Sequence, residues 1–163
     1  MISIYSDGSS SGKATGAIGW AWVLVTDGNV HSVGYGGLPT GTNNQSELLG
    51  AIKGIEAYLD SCHRLDMLVC GRDLDEIELV SDSRYVLGCA SGAWNPTKNM
   101  ELVARLIYLK SYVGRLRWVP GHSKADSLDA EMNSRADSMA KLGKSEQVLT
   151  SAPESEIITD EVE

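Results

Sequence analysis

The spacing of apolar positions changes along this chain, and each change predicts an element. Residues 2–9, Ile2-Ser3-Ile4-Tyr5-Ser6-Asp7-Gly8-Ser9, alternate apolar and small side chains with period two, as a strand does. That strand ends on a carboxylate beside a glycine. Residues 17–25 predict a long second strand with Trp20 and Trp22 on one face, and Asp27-Gly28-Asn29 is a hairpin turn leading to a third, antiparallel strand over 30–36. Gly36, Gly37, Pro39 and Gly41 end this meander. The period then becomes helical. Leu48, Ile52, Ile55 and Leu59 fall three and four apart behind the N-cap candidates Thr42, Asn43 and Asn44.

Residues 60–76 form a polar, mixed connection. Ile77–Ser81 is a short apolar strand that ends, like the first, on an aspartate, Asp82. Helices are expected over 83–90 and 100–112, the second with Leu102, Leu106 and Leu109 inward, separated by a loop holding Gly92, Trp94 and Pro96. A strand over 116–119 closes on Pro120-Gly121-His122. The last helix should run over 128–142 and stop at Gly143, and the acidic stretch beyond it reads as a mostly disordered tail. The order β-β-β-α-β-α-α-β-α predicts a mixed α/β sheet. The strands reached through helical crossovers lie parallel to the first, and helices pack on the faces.

Composition narrows the class. A chain of 163 residues with 42% hydrophobic content suits one globular domain. No apolar run approaches the ~18 residues of a membrane span, and no basic-then-apolar leader opens the chain, so a cytoplasmic protein without a membrane partner is expected. Three cysteines leave one unpaired in any disulfide scheme, which fits a reducing compartment. Cys62, His63 and Cys70 are too irregularly spaced for a zinc site and read as part of an ordinary polar loop.

The net charge of −8 looks wrong for a nucleic-acid binder until it is located. Residues 144–163 hold six acids and one base, and residues 60–76 hold five acids and two bases; together these account for the whole excess. Residues 98–124 carry six bases (Lys98, Arg105, Lys110, Arg115, Arg117, Lys124) against the single acid Glu101. Such a face suits a phosphate backbone, although ordinary solvated side chains would give the same count.

Candidate chemistry gathers at element ends. Asp7 and Asp82 each end a strand, Glu47 lies in the first turn of a helix, and His122 follows the last strand. Asn133 and Asp137, four apart, share a helix face, whereas Asp129 and Glu131 at that helix's start read as solvated or dipole-pairing acids. Each alone has a plain explanation: Asp-Gly is a common turn pair, and an acid suits a helix N-terminus. If the first and fourth strands are neighbours, however, Asp7 and Asp82 meet. Clustered carboxylates repel unless a cation neutralises them. An all-oxygen donor set favours Mg²⁺ or Mn²⁺ over zinc, and two such ions about 4 Å apart can clamp a phosphodiester.

Five stretches carry a resemblance, in order: Tyr5-Ser6-Asp7-Gly8-Ser9, Thr42-Asn43-Asn44-Gln45-Ser46-Glu47, Ser81-Asp82-Ser83-Arg84-Tyr85-Val86, Val119-Pro120-Gly121-His122 and Asn133-Ser134-Arg135-Ala136-Asp137. Together they resemble ribonuclease H, type 1, over residues 1–143, with 60–76 as an insertion and 144–163 as a separate tail. The resemblance implies a five-stranded mixed sheet of order 3-2-1-4-5 and a monomeric endoribonuclease. That enzyme would cut the RNA strand of an RNA/DNA hybrid with two Mg²⁺ (or Mn²⁺) ions, leaving 5′-phosphate and 3′-hydroxyl ends. Asp7 would bridge both metals, Glu47 and Asp82 would hold the leaving-group metal, and Asp137 the one that activates water. His122 would assist proton transfer or product departure. Asn43 and Gln45 would contact the minor groove, where 2′-hydroxyls mark the RNA strand, and Thr42 a DNA phosphate. Trp94 would lie along the DNA strand, and Gly8, Ser9 and Asn133 would complete the substrate contacts.

Two spacings depart from the pattern: 35 residues from Glu47 to Asp82, and 15 from His122 to Asp137. There is also no room between Asp82 and Lys98 for the basic helix-and-loop handle of some members. The alternatives are a catalytically inactive hybrid-binding module and another nuclease of the same fold. A proofreading exonuclease would want an acid where Ser9 stands.

Overall fold

The computed structural model describes residues 1–12, 16–64 and 71–162, and its side chains as far as Gln147. The meander forms β1 (Ile2–Ser10), β2 (Ile18–Thr26) and β3 (Asn29–Leu38). Asp27 and Gly28 both take positive φ, at 49° and 85°, the pattern of a primed hairpin turn that matches strand twist. α1 (Asn43–His63) follows, then a 3-10 turn at Leu74–Glu76 and β4 (Ile77–Ser81). α2 (Arg84–Ser91), α3 (Met100–Lys110), β5 (Arg115–Trp118) and α4 (Leu128–Val162) complete the chain.

The sheet order is β3-β2-β1-β4-β5, with β1 antiparallel to β2 and parallel to β4. The β1–β4 register runs from Ile2↔Ile77 to Ser6↔Ser81. Asp7 and Asp82 are therefore the next residues on two adjacent parallel strands.

Side-chain alternation assigns the faces. Ile2, Ile4, Leu24 and Leu79 enter a core with Leu48, Ile52 and Ile55 of α1 and Leu106 and Leu109 of α3. Tyr5, Val23, Val25 and Val80 point the other way, against Met132 and Ala136 of α4. Asp7 shares its face with Tyr5 and so turns toward α4. Each fully buried aliphatic side chain contributes on the order of 1.5–3 kcal/mol, so this two-sided core fixes the strand ends firmly.

Two boundaries differ from expectation by more than two residues. α1 runs on to His63 because its apolar stripe continues: Cys62 packs against the core beside Leu59. Residues 60–63 thus belong to the helix and not to the connection, while Cys70 lies outside the described residues. α4 does not stop at Gly143. A Cβ there would come 2.2 Å from the Gly36 carbonyl oxygen, so this glycine lets α4 cross β3 in close contact. The helix tolerates it at about 1 kcal/mol relative to alanine. The acidic stretch beyond Gly143, expected as a mostly disordered tail, continues α4 in its backbone to Val162, and its side chains beyond Gln147 lie outside the described residues.

Candidate active site

Residues from five elements meet at the C-terminal ends of β1 and β4. Asp7 is buried on β1, at 7% exposure. Burial pushes its carboxyl up to about 8, helped by the nearby charges of Asp82, Asp137 and Glu47, although the Gly8 amide donates to Oδ1 at 2.8 Å and opposes the rise. The same two causes, burial and then Asp82, raise Glu47 above the usual carboxylate range. Hydrogen bonds from Ser83 and Asn43 resist that rise. This mutual influence places Asp7, Glu47, Asp82 and Asp137 in one cluster. Among the described residues, no three acid, histidine or cysteine side chains are drawn together into a closed cation cage. Glu47, Asp82 and Asp137 are each near enough to repel an ionised Asp7.

α1 is brought to Asp7 by close backbone approach. A Cβ on Gly8 would sit 2.4 Å from the Glu47 amide nitrogen, so only glycine fits at the strand end. The helix begins with a capping box: Thr42 Oγ1 accepts from the Gln45 amide at 3.2 Å, and Gln45 Oε1 accepts from the Thr42 amide at 2.9 Å. Thr42 and Gln45 are therefore structural partners at the lip of the site. Asn43 is exposed and donates from Nδ2 to Glu47 Oε1 at 3.3 Å.

Asp82 is held from two sides. Asn133 Nδ2 donates to Asp82 Oδ2 at 3.2 Å, and the Trp118 indole donates to the Asp82 carbonyl at 3.1 Å. His122, at φ 52°, shares a hollow of about 210 Å³ with Asp82, Asn133, Ser134 and Asp137. The structure thus brings His122 and Asn133 to the carboxylates. Ser9 is buried on β1, two residues beyond Asp7. Trp94 does not join the cluster. It is half-exposed, covers Gly88 and tilts against Tyr85 at 6.1 Å between ring centres, so it belongs to the outer part of α2.

Several contributors are not evident from the sequence. Ser83 caps α2 through the Val86 amide and donates its hydroxyl to Glu47 Oε2 at 2.6 Å. Lys141 pairs with Asp137 at 2.9 Å. Lys141 lies one helical turn beyond Asp137, so spacing alone could have found it, whereas Ser83 and Glu47 are brought together only by the fold. The basic stretch is also weaker than its count. Arg105 pairs with Glu56 at 3.8 Å, and Arg117 is engaged by Glu78 and Asp129. Lys98, Lys110, Arg115 and Lys124 have no ion-pair partner among the described residues. Asp129, expected as a solvated or dipole-pairing acid, is an ion-pair partner instead.

The donor set is all oxygen at the ends of two parallel strands, and the RNase H family profile matches residues 1–145. The chain belongs to the ribonuclease H family. It is an enzyme of the hydrolytic nuclease class. Its sequence is similar to the ribonuclease H of Rhodopseudomonas palustris strain TIE-1, 33% identical over 165 residues, covering 92% of this chain and 93% of that one. The ribonuclease H1 of the halophilic archaeon Halobacterium salinarum NRC-1 has a similar structure, with a TM-score of 0.68 and 27% identity over 89% of this chain and 98% of that one. LC11-RNase H1, solved in complex with RNA/DNA hybrid, shares the fold at a TM-score of 0.68 and 22% identity, covering 91% of this chain and 99% of that one. No described helix is long and apolar enough to cross a membrane.

Proposed function

We propose that this ribonuclease H is an endonuclease that hydrolyses the RNA strand of RNA/DNA hybrids by two-metal catalysis, leaving 5′-phosphate and 3′-hydroxyl ends. The observation that carries the reading is the carboxylate cluster, in which Asp7 is raised to about 8 by burial and its acidic neighbours. Such a cluster carries negative charge that a hard cation would neutralise, and its donors are all oxygens. Asp7, Glu47, Asp82 and Asp137 would hold two Mg²⁺ (or Mn²⁺) ions, whose chemistry when bound is to activate water and to stabilise the departing oxygen. The RNA/DNA hybrid bound by LC11-RNase H1, which shares the fold, supports the substrate class.

The chain's own residues do the rest. Asn133 and Ser83 orient the Asp82 and Glu47 carboxylates through their hydrogen bonds. His122, facing the same hollow as Asp82 and Asp137, would carry a proton to the leaving 3′ oxygen or ease product departure. Asn43 and Gln45 would read the minor groove and its 2′-hydroxyls beside Gly8 and Ser9. Thr42 shares a hollow of about 410 Å³ with Lys98 and Asn99, which suits a phosphate of the DNA strand, and Trp94 would extend that strand's path. Catalysis would reside in residues 1–143 of a monomeric, cytoplasmic protein, with 60–76 as an insertion and 144–163 as a tail.

Asp82→Asn provides the test. We expect hybrid binding within a few-fold of the unaltered protein, by gel shift in Mg²⁺, and cleavage slower by at least about a thousandfold. Undiminished cleavage would remove Asp82 from the centre. Binding without cleavage by the unaltered chain would make it a hybrid-binding module.

A further inference from the structure

We infer that Arg117 and Asp129 form a positioning clamp that sets the start of α4, and the ends of the His122 loop, against the strand ends bearing Asp7 and Asp82. The inference rests on the metal-dependent reading above. Arg117, near the end of β5, donates from Nε and Nη2 to Glu78 at 3.0 and 2.9 Å, and from Nη1 and Nη2 to Asp129 at 2.5 and 3.0 Å. One guanidinium thus grips two carboxylates bidentately, a fork geometry that fixes direction as well as distance. The Glu78 arm is buried in the sheet, where Ser3 also donates to Glu78 at 2.8 Å. The Asp129 arm reaches the first turn of α4, where Tyr5 donates its hydroxyl to Asp129 Oδ1 at 2.6 Å.

The position of this network gives it a consequence beyond stability. Tyr5 lies two residues before Asp7 on the same face of β1. Arg117 precedes Trp118, whose indole holds the Asp82 carbonyl. Asp129 lies one and two helical turns before Asn133 and Asp137. A single cation therefore ties together β1, β4 and α4, three of the four elements whose carboxylates must converge. It also closes the base of the 119–127 loop, whose near end is pinned by the Val119 amide on the Ser81 carbonyl at 3.1 Å and whose far end is capped by Ser127. His122 within that loop holds a left-handed backbone, which persists in a non-glycine residue only when its surroundings determine it. Two fixed loop ends supply that constraint.

The test uses the full chain. Asp129→Asn removes the charge of the α4 arm and one of its two acceptor oxygens while leaving the Arg117–Glu78 pair in place, and Asp129→Glu keeps the charge. We expect Asp129→Asn to melt within a few degrees of the unaltered protein, to bind Mg²⁺ roughly tenfold more weakly by calorimetry, and to lose roughly tenfold in kcat with the hybrid KM within twofold. Asp129→Glu should recover part of both losses. Unchanged Mg²⁺ affinity together with unchanged kcat would overturn the clamp, as would losses that track the unfolded fraction. If the unaltered protein does not cut hybrids but Asp129→Asn still weakens Mg²⁺ binding, the clamp stands and the substrate reading falls.

Discussion

Asp7→Asn should lower hybrid cleavage by at least about a thousandfold and make the metal-free protein more stable. The first effect follows from the place of Asp7 in the carboxylate cluster, where it would help to hold the proposed ions. Removing one preorganised electrostatic group from such a site costs on the order of 10²–10³ in rate, and in the proposed mechanism Asp7 would serve two ions. The second effect follows from its pKa. Unfolded, the carboxyl ionises near 4; folded, burial first and then Asp82 hold it protonated up to about 8. The unfolded chain therefore binds fewer protons between those values, and stability falls as pH rises through that window. Each tenfold gain in proton affinity on folding corresponds to about 1.4 kcal/mol, a ceiling that the interplay with Glu47, Asp82 and Asp137 reduces. We expect a gain of about 2 kcal/mol for Asp7→Asn at pH 8 in EDTA, vanishing by about pH 4, read by urea denaturation. Mg²⁺ should raise the melting temperature of the unaltered protein more than that of the variant. Equal stability at pH 8 would mean that the cluster is not electrostatically strained.

Arg117→Met should cost on the order of 1–3 kcal/mol at neutral pH, because it leaves the buried Glu78 carboxylate without its counter-charge and with only the Ser3 hydrogen bond. Burial alone would raise Glu78, yet hydrogen bonds from Arg117 and Ser3 hold it below its ordinary value. A depressed carboxylate contributes stability above its unfolded pKa and loses it as pH falls through the folded one. The variant's deficit should therefore be large at pH 7 and shrink toward pH 4, where Glu78 protonates in the absence of its partner. Combining Arg117→Met with Glu78→Gln should recover part of the loss, since the unpaired charge is then gone. A pH-independent deficit would assign the cost to lost packing of the arginine stem.

The frame of the site is legible in the sequence because strand ends and helix faces are periodic. Asp7 and Asp82 follow runs of alternating or apolar residues, and one parallel pairing makes them neighbours. Asn133 and Asp137 follow from helical spacing. What stays hidden depends on tertiary partners. The Arg117 charge looks available until Glu78 and Asp129 are seen to enclose it, and Ser83 looks like part of a turn until its hydroxyl reaches Glu47. Gly143 has the identity of a helix stop, but whether a glycine terminates a helix or lets it approach a strand is decided by the strand. Trp94, expected along the DNA strand, packs on Gly88 and Tyr85 outside the carboxylate cluster.

The most direct measurement is cleavage of one labelled RNA strand, presented alone, in duplex RNA and paired with DNA, with Mg²⁺ and with EDTA. The account predicts cutting of the hybrid only, dependent on the metal, with products bearing 5′-phosphates, and a rate that falls steeply with added salt. Cleavage in EDTA, or equal cleavage of all three RNAs, would contradict it.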